Sequence, residues 1–210
     1  MEIFRLIVGE LETNCYLLAA GNRCLVIDPG AEFERISAAI EKNGLSPVAV
    51  VLTHGHYDHI GAANQIAQTF GVKIFAHPDE IAFLGDPTMN FSAFVGAPIS
   101  VEAAPLTKDF LPFDGFASVK ILHLPGHTPG SIGLVGEDFF ISGDTVFGGG
   151  GVGRTDLPGG DPKALAESIR KILSLDDDLV LYPGHGGRSV LRREKPLWRQ
   201  AIKMLEDGLL

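Results

Sequence analysis

The stretch PVAVVLTHGHYDHIGAA, residues 47 to 63, constrains the chain more than any other. A continuous apolar run of strand length, the mark of a strand buried on both faces, ends at Thr53. Three histidines and an aspartate then follow within six positions, in a chain that holds only seven histidines among 210 residues. His54 and His56 are two apart, so on extended backbone their side chains point the same way and can close on one cation. Asp58 and His59 fall where the backbone turns into a helix and project in another direction, which a second cation nearby accounts for. The cluster belongs at the carboxyl end of the strand, where open α/β sheets place ligands.

The flanking sequence supplies the frame. EIFRLIVG, NCYLLAAG and RCLVIDPG are short β-rich runs closed by glycine or proline. AEFERISAAIEKNG has helical spacing at Phe33, Ile36, Ala39 and Ile40, with Gly44 as its stop. DHIGAANQIAQTFG reads as one helix ending at Gly71, and VKIFAH as the next strand. Residues 85 to 115 carry four prolines and four phenylalanines without period, a long excursion for a loop. Three consecutive strands follow in FASVKILHLPG, SIGLVGE and DFFISGDTV. A helix (DPKALAESIRKILSL), a strand and turn (DDLVLYPGHG) and a last helix (REKPLWRQAIKMLEDG) complete the chain. Two strand-rich halves, each with helices, predict two sheets with helices outside, an α/β (α+β) architecture within a single domain spanning 1–210.

Three later sites share one style. His127 in LHLPGHTPGS, Asp144 in FFISGDTVF and His185 in LVLYPGHGG each sit in a glycine-rich turn after an apolar strand. Strand ends from separate parts of a chain can converge, so His54, His56, Asp58, His59, His127, Asp144 and His185 make seven groups, enough for two divalent ions with one carboxylate shared. Imidazole with carboxylate suits zinc foremost, with iron or manganese also compatible. Cys15 and Cys24 lie in apolar strand surroundings and read as buried structural thiols. The net charge of −9 argues against a nucleic-acid partner. With no apolar leader after MEIFRL and no run long enough to span a bilayer, the expectation is a cytoplasmic protein with no membrane partner.

THGHYDH with the later His, Asp and His resembles the metallo-β-lactamase fold superfamily, from TNCYLL and VIDPGA through to YPGHG. Within it, LPGHTPGS, SGDTVF and GRTDLPGGD resemble the small hydroxyacylglutathione hydrolases of glyoxalase II type, without the C-terminal helical extension of the long enzymes. The resemblance implies a four-layer αββα sandwich of two mixed sheets with the site at its rim. It implies one metal on His54, His56 and His127, another on Asp58, His59 and His185, and Asp144 as the bridge. Asp28 resembles the family's aspartate that orients a ligand histidine, its other reading being a turn-forming Asp before proline. Arg154 resembles the basic residue that holds a substrate carboxylate.

The chemistry implied is hydrolysis of a small-molecule thioester, S-D-lactoylglutathione above all, at a centre containing Asp58 and Asp144. Two metals would lower the pKa of a shared water toward about 7, and the hydroxide between them would attack the carbonyl. The foremost rival is a mononuclear iron persulfide dioxygenase on the same scaffold. A β-lactamase, a nuclease and a non-catalytic metal binder are weaker readings. GGGGVGRT, residues 148 to 155, nearly spells a phosphate loop but lacks the helix that motif needs, and reads instead as a mobile loop beside the metals. His77 and His123 read as ordinary strand-end residues or as supports behind the ligands, and Phe91, Phe94, Phe110 and Phe113 as core filler, the lining of an acyl pocket or a lid.

Overall fold

The computed structural model describes residues 1–209. The first sheet holds β1 (Glu2–Val8), β2 (Thr13–Ala20), β3 (Arg23–Ile27), β4 (Ser46–Val51), β5 (Ile74–Ala76) and β6 (Ala104–Pro105), side by side in that order. Its first three strands pair antiparallel and the rest parallel. Helices α1 (Phe33–Lys42), α2 (Tyr57–Ile60), α3 (Ala63–Phe70), α4 (Ile81–Gly85) and α5 (Ser92–Val95) come from this half. The second sheet contains β7 (Lys120–His123), β8 (Ile132–Val135), β9 (Phe139–Gly143), β10 (Val180–Pro183) and β11 (Ser189–Val190), in the order β11-β10-β9-β8-β7. It is antiparallel except for the β9–β10 pair. Helices α6 (Pro162–Leu173) and α7 (Leu191–Glu206) belong to it.

The predicted four layers follow from period-two alternation on strands buried on both faces. On β2, Cys15 and Leu17 face the outer core under α1 and α3, while Tyr16 and Leu18 face the space between the sheets. Val50 and Leu52 against Ala49 and Val51 repeat the pattern at β4. In the second half, Phe139 and Ile141 point between the sheets, and Phe140 points outward to Leu165, Ile169 and Trp198 on α6 and α7. Three apolar layers therefore lie between four layers of backbone. α6 begins where its sequence predicts: the Asp161 carboxylate accepts from the amides of Lys163 (2.8 Å) and Ala164 (3.0 Å), with Pro162 in the first turn.

One expectation fails in an instructive way. The helix read over 58–71 is broken into α2 and α3 at Gly61–Ala62. Tertiary packing of the 28–30 turn against α2 decides this. The Ala62 amide donates to Pro29 O at 2.8 Å, and a Cβ on Gly61 would stand 2.2 Å from Gly30 O. A Cβ on Gly30 would stand 1.6 Å from Asp58 O. The break lets the single turn carrying Asp58 and His59 seat against the end of β3. The excursion at 85–115 is ordered around Asn90, whose side chain donates to Ile99 O (2.8 Å) and whose carbonyl accepts from the Tyr57 amide (2.9 Å). Among the described residues, no helix is long and apolar enough to cross a membrane. Gly30→Ala should push α2 off this seat, lowering stability by about 1–3 kcal/mol. Urea denaturation measures the loss, and metal uptake should weaken with it.

Candidate metal centre

All seven predicted ligand residues meet at one rim of the sandwich. One donor atom from each of His54, His56 and His127 lies within 4.8 Å of the others, and the same holds for Asp58, His59 and His185. Asp144 stands between the groups: its Oδ2 is 3.3 Å from His185 Nε2 and 3.8 Å from His127 Nε2, and its Oδ1 is 3.4 Å from His59 Nε2. Strand ends do this work. His54 and His56 follow β4, His127 follows β7, Asp144 follows β9 and His185 follows β10. Glycine permits the close approach at the last two, since a Cβ on Gly184 would lie 1.9 Å from Asp144 Oδ1.

The outer nitrogen of most of these rings is engaged by an acceptor, which fixes the tautomer and turns the inner nitrogen inward. His59 Nδ1 donates to Asp28 Oδ2 (3.0 Å), His127 Nδ1 to Arg154 O (2.8 Å) and His185 Nδ1 to Leu11 O (2.9 Å). Asp28 also accepts from the Thr53 amide (2.7 Å) and hydroxyl (2.6 Å), and the same hydroxyl meets His54 Nδ1 at 3.2 Å. Asp28 is therefore an orienting carboxylate as well as a turn residue.

The two halves differ in charge. Burial pulls His54 well below its ordinary value, His127 below it and His56 down to about 3, so this half presents neutral imidazoles. Burial would also pull down His59 and His185, but the Asp144 and Asp58 carboxylates outweigh it. His59 is held well above its usual value and His185 at about 9. Burial likewise favours the neutral acid at Asp58, yet His59 and His185 hold it down at about 2, and His59 with His185 holds Asp144 well below the carboxylate range.

A divalent cation pair fits these residues. His54 Nε2 and Asp144 Oδ1 are buried without a hydrogen-bond partner, an expensive condition for nitrogen and carboxylate oxygen in a protein interior. His56 Nδ1 and His127 Nε2 face each other at 2.9 Å, a spacing at which two imidazoles share either a proton or a cation. The thiols take no part: Cys15 and Cys24 are free and buried, and burial raises both, Cys24 to about 12.

Glu80 escaped the sequence reading. It is fully buried beside the first group of ligands, at the end of a 3₁₀ turn, Pro78–Glu80. One carboxylate oxygen accepts from the Gly55 amide (2.8 Å), between His54 and His56. The other accepts from the Gly130 amide (2.7 Å) and Thr128 hydroxyl (3.0 Å), just past His127. Its only signal was an acidic residue after AHPD, which resembles any solvated turn.

The other expectations sort as follows. Arg154 lines the site's cavity, but its guanidinium is forked onto Asp156, 2.7 Å at both contacts. The glycine loop is anchored rather than free: Gly150 N donates to Glu194 Oε2 at 2.9 Å and Trp198 Nε1 to Phe147 O at 3.2 Å. The Gly148–Gly150 turn leads into no helix before α6. His77 and His123 stack at 3.8 Å and 15°, close to Asp79, and parallel rings aim their in-plane lone pairs along parallel lines instead of at one point. Of the phenylalanines, Phe91 lines the cavity, Phe113 packs in the core on Phe75, and Phe94 and Phe110 are exposed.

Comparison with known proteins agrees with this geometry. The sequence profile of the metallo-beta-lactamase superfamily matches residues 8–185, and the chain belongs to that superfamily. It is 39% identical to the hydroxyacylglutathione hydrolase GloC of Haemophilus influenzae over 198 residues, 90% of this chain and 92% of the relative. Among solved structures it is similar to the BLEG-1 B3 metallo-beta-lactamase (TM-score 0.86, 32% identity, 93% of this chain and 97% of that one). It is also similar to TTHA1623 in a di-iron-bound form (TM-score 0.80, 33% identity, 92% and 98%). The class is thus a metallo-hydrolase fold with a histidine and aspartate centre suited to divalent metals.

Burial raises the Glu80 carboxyl to about 7, although its three hydrogen bonds oppose the rise. A raised folded-state value means the native protein keeps a proton that the unfolded chain has lost. Stability of the metal-free protein should therefore fall as pH rises from about 4.5 to about 7, by up to about 3 kcal/mol from this group. Denaturation at stepped pH should register that limb and find it flattened in Glu80→Gln. The same variant turns an amide NH₂ toward a backbone N–H, so metal competition titration should find the His54–His56–His127 group loosened by about tenfold or more.

Proposed function

We propose that the chain is a binuclear metal-dependent thioester hydrolase acting on hydroxyacylglutathione, with residues 1–210 as one catalytic domain. The observation that carries this reading is the placement of Asp144 between two three-residue donor groups at the floor of an open cavity of about 500 Å³. In this reading His54, His56 and His127 would hold one ion and Asp58, His59 and His185 the other, with Asp144 as the carboxylate available to both. Bound divalent ions would supply Lewis acidity and acidify a water toward a pKa of about 7. The protein's own contribution is orientation. Asp28, Arg154 O and Leu11 O hold the rings of His59, His127 and His185.

Substrate recognition rests on the cavity wall. Leu11, Tyr57, Phe91, Phe147, Val152 and Leu157 give it an apolar lining around the polar floor, the usual build of a small-molecule site. Arg154 is the one Lys or Arg of that lining, and it would take a glutathione carboxylate by exchanging it for Asp156. That ion pair is exposed, so the exchange carries little penalty. A thiolate leaves without a strong general acid, which agrees with a cavity that offers no carboxyl group beyond Asp58 and Asp144.

The reading is tested by elemental analysis of the purified protein beside a panel of S-D-lactoylglutathione, nitrocefin and glutathione persulfide, with oxygen uptake monitored. The expected result is two divalent ions per chain and lactoylglutathione turnover that chelation abolishes. One iron with oxygen uptake on the persulfide would replace it by the dioxygenase reading, and preferred nitrocefin turnover by a lactamase. Asp144→Ala should remove paired metal binding and lower kcat/KM by about a thousandfold or more; normal turnover in that variant would refute the shared-carboxylate assignment. Arg154→Ala should raise KM for glutathione thioesters by about tenfold with kcat little changed.

A further inference from the structure

We propose that a second cavity, beside the metal centre, is the acyl-binding groove, and that the enzyme prefers acyl groups longer and more apolar than lactoyl. This rests on the thioester reading above and extends it to the substrate's other half. The groove also measures about 500 Å³ and shares Leu11, Tyr57 and Asp58 with the cavity over the metals. A molecule whose carbonyl sits at the metal centre therefore has two directions in which to extend. Both have apolar walls, and they differ in their charged side chains.

The first direction holds Arg154, the only Lys or Arg of either lining. The second is walled by Val8, Leu11, Ala31, Val95 and Ile99, with Glu10 and Asp58 as its charged groups. A glutathione arm is anionic and peptide-like, and the groove offers it no cationic side chain and sets the Glu10 carboxylate among apolar walls. A hydrocarbon chain meets no such penalty and gains from leaving water. The thiol arm is thus assigned to the Arg154 side and the acyl chain to the groove.

The groove also gives the 85–115 excursion a role. Phe91 lines the metal cavity while Val95 and Ile99, a few residues on, line the groove, so one segment walls both ends of the substrate. Its rim keeps large apolar side chains in water: Leu11 is 52% exposed and Val95 47%. Scattered apolar residues on a surface need no explanation, but Leu11 and Val95 flank one cavity that opens beside reactive groups.

The test is a series of S-acylglutathiones from acetyl to hexanoyl. In the wild-type enzyme kcat/KM should climb about two- to fourfold per methylene. Val95 is exposed and outside the packed core, so it can be changed without unfolding the chain. Val95→Asp and Val95→Trp, one introducing charge and the other filling the groove, should each reduce the hexanoyl-to-acetyl ratio by about tenfold. A flat chain-length profile, or a steep one that both variants retain, would overturn the groove assignment while leaving thioester hydrolysis intact. Failure of every thioester in the series would instead remove the underlying function, and the groove assignment with it.

Discussion

The Asp28 carboxylate holds this structure's working end together. It is 1% exposed and takes three hydrogen bonds: from the Thr53 amide, the Thr53 hydroxyl and the His59 ring. Those partners stand at the end of β4 and on α2, while Asp28 itself follows β3. Hydrogen bonds to a charged group contribute about 1.5–3 kcal/mol each, and an unpartnered buried carboxylate is far worse than none. The backbone at Asp28 is left-handed, with φ 50°, a conformation that aspartate tolerates better than most residues. From this anchor the rest follows: His59 is aimed, Thr53 is set against His54, and the turn bearing Asp58 is pinned beside β3.

Glu80 plays the complementary part for the other ligands. Asp28 serves His59 directly and His54 through Thr53, and Glu80 ties the His54–His56 loop to the loop after His127. Each half of the centre is thus braced by one buried carboxylate that touches backbone amides. The halves need bracing for different reasons. The neutral imidazoles of His54, His56 and His127 carry no opposite charges to hold them together. The ionic half, with Asp58, Asp144, His59 and His185, holds itself together by charge but has to be kept from collapsing out of register. Preorganisation of this kind leaves His54 Nε2 and Asp144 Oδ1 buried without partners, a condition a bound cation relieves.

Legibility in the sequence followed the range of each interaction. Local signals were read correctly: the Asp161–Pro162 start of α6, the double-faced strands, and the strand-end placement of His127, Asp144 and His185. The break at Gly61 was missed because the residues from 58 to 71 are all compatible with a helix. What interrupts them is Gly30, about thirty positions away. Glu80 was missed for the same reason, since its partners Gly55, Thr128 and Gly130 are glycine amides and a hydroxyl that carry no pattern. The glycine loop at 148–155 suggested mobility, yet Glu194 and Trp198, on the final helix, hold it.

The sequence by itself determined the layer architecture and which histidines and aspartates gather at the sheet ends, because side-chain chemistry and period-two burial are written in residue type and spacing. Only the tertiary structure decided how those side chains are oriented, which carboxylates brace them, and that two cavities, only one of them holding Arg154, meet at Leu11, Tyr57 and Asp58. Orientation depends on hydrogen bonds between segments that chain folding brings together, and no local pattern encodes the distance between Glu80 and Gly130 or between Asp28 and His59.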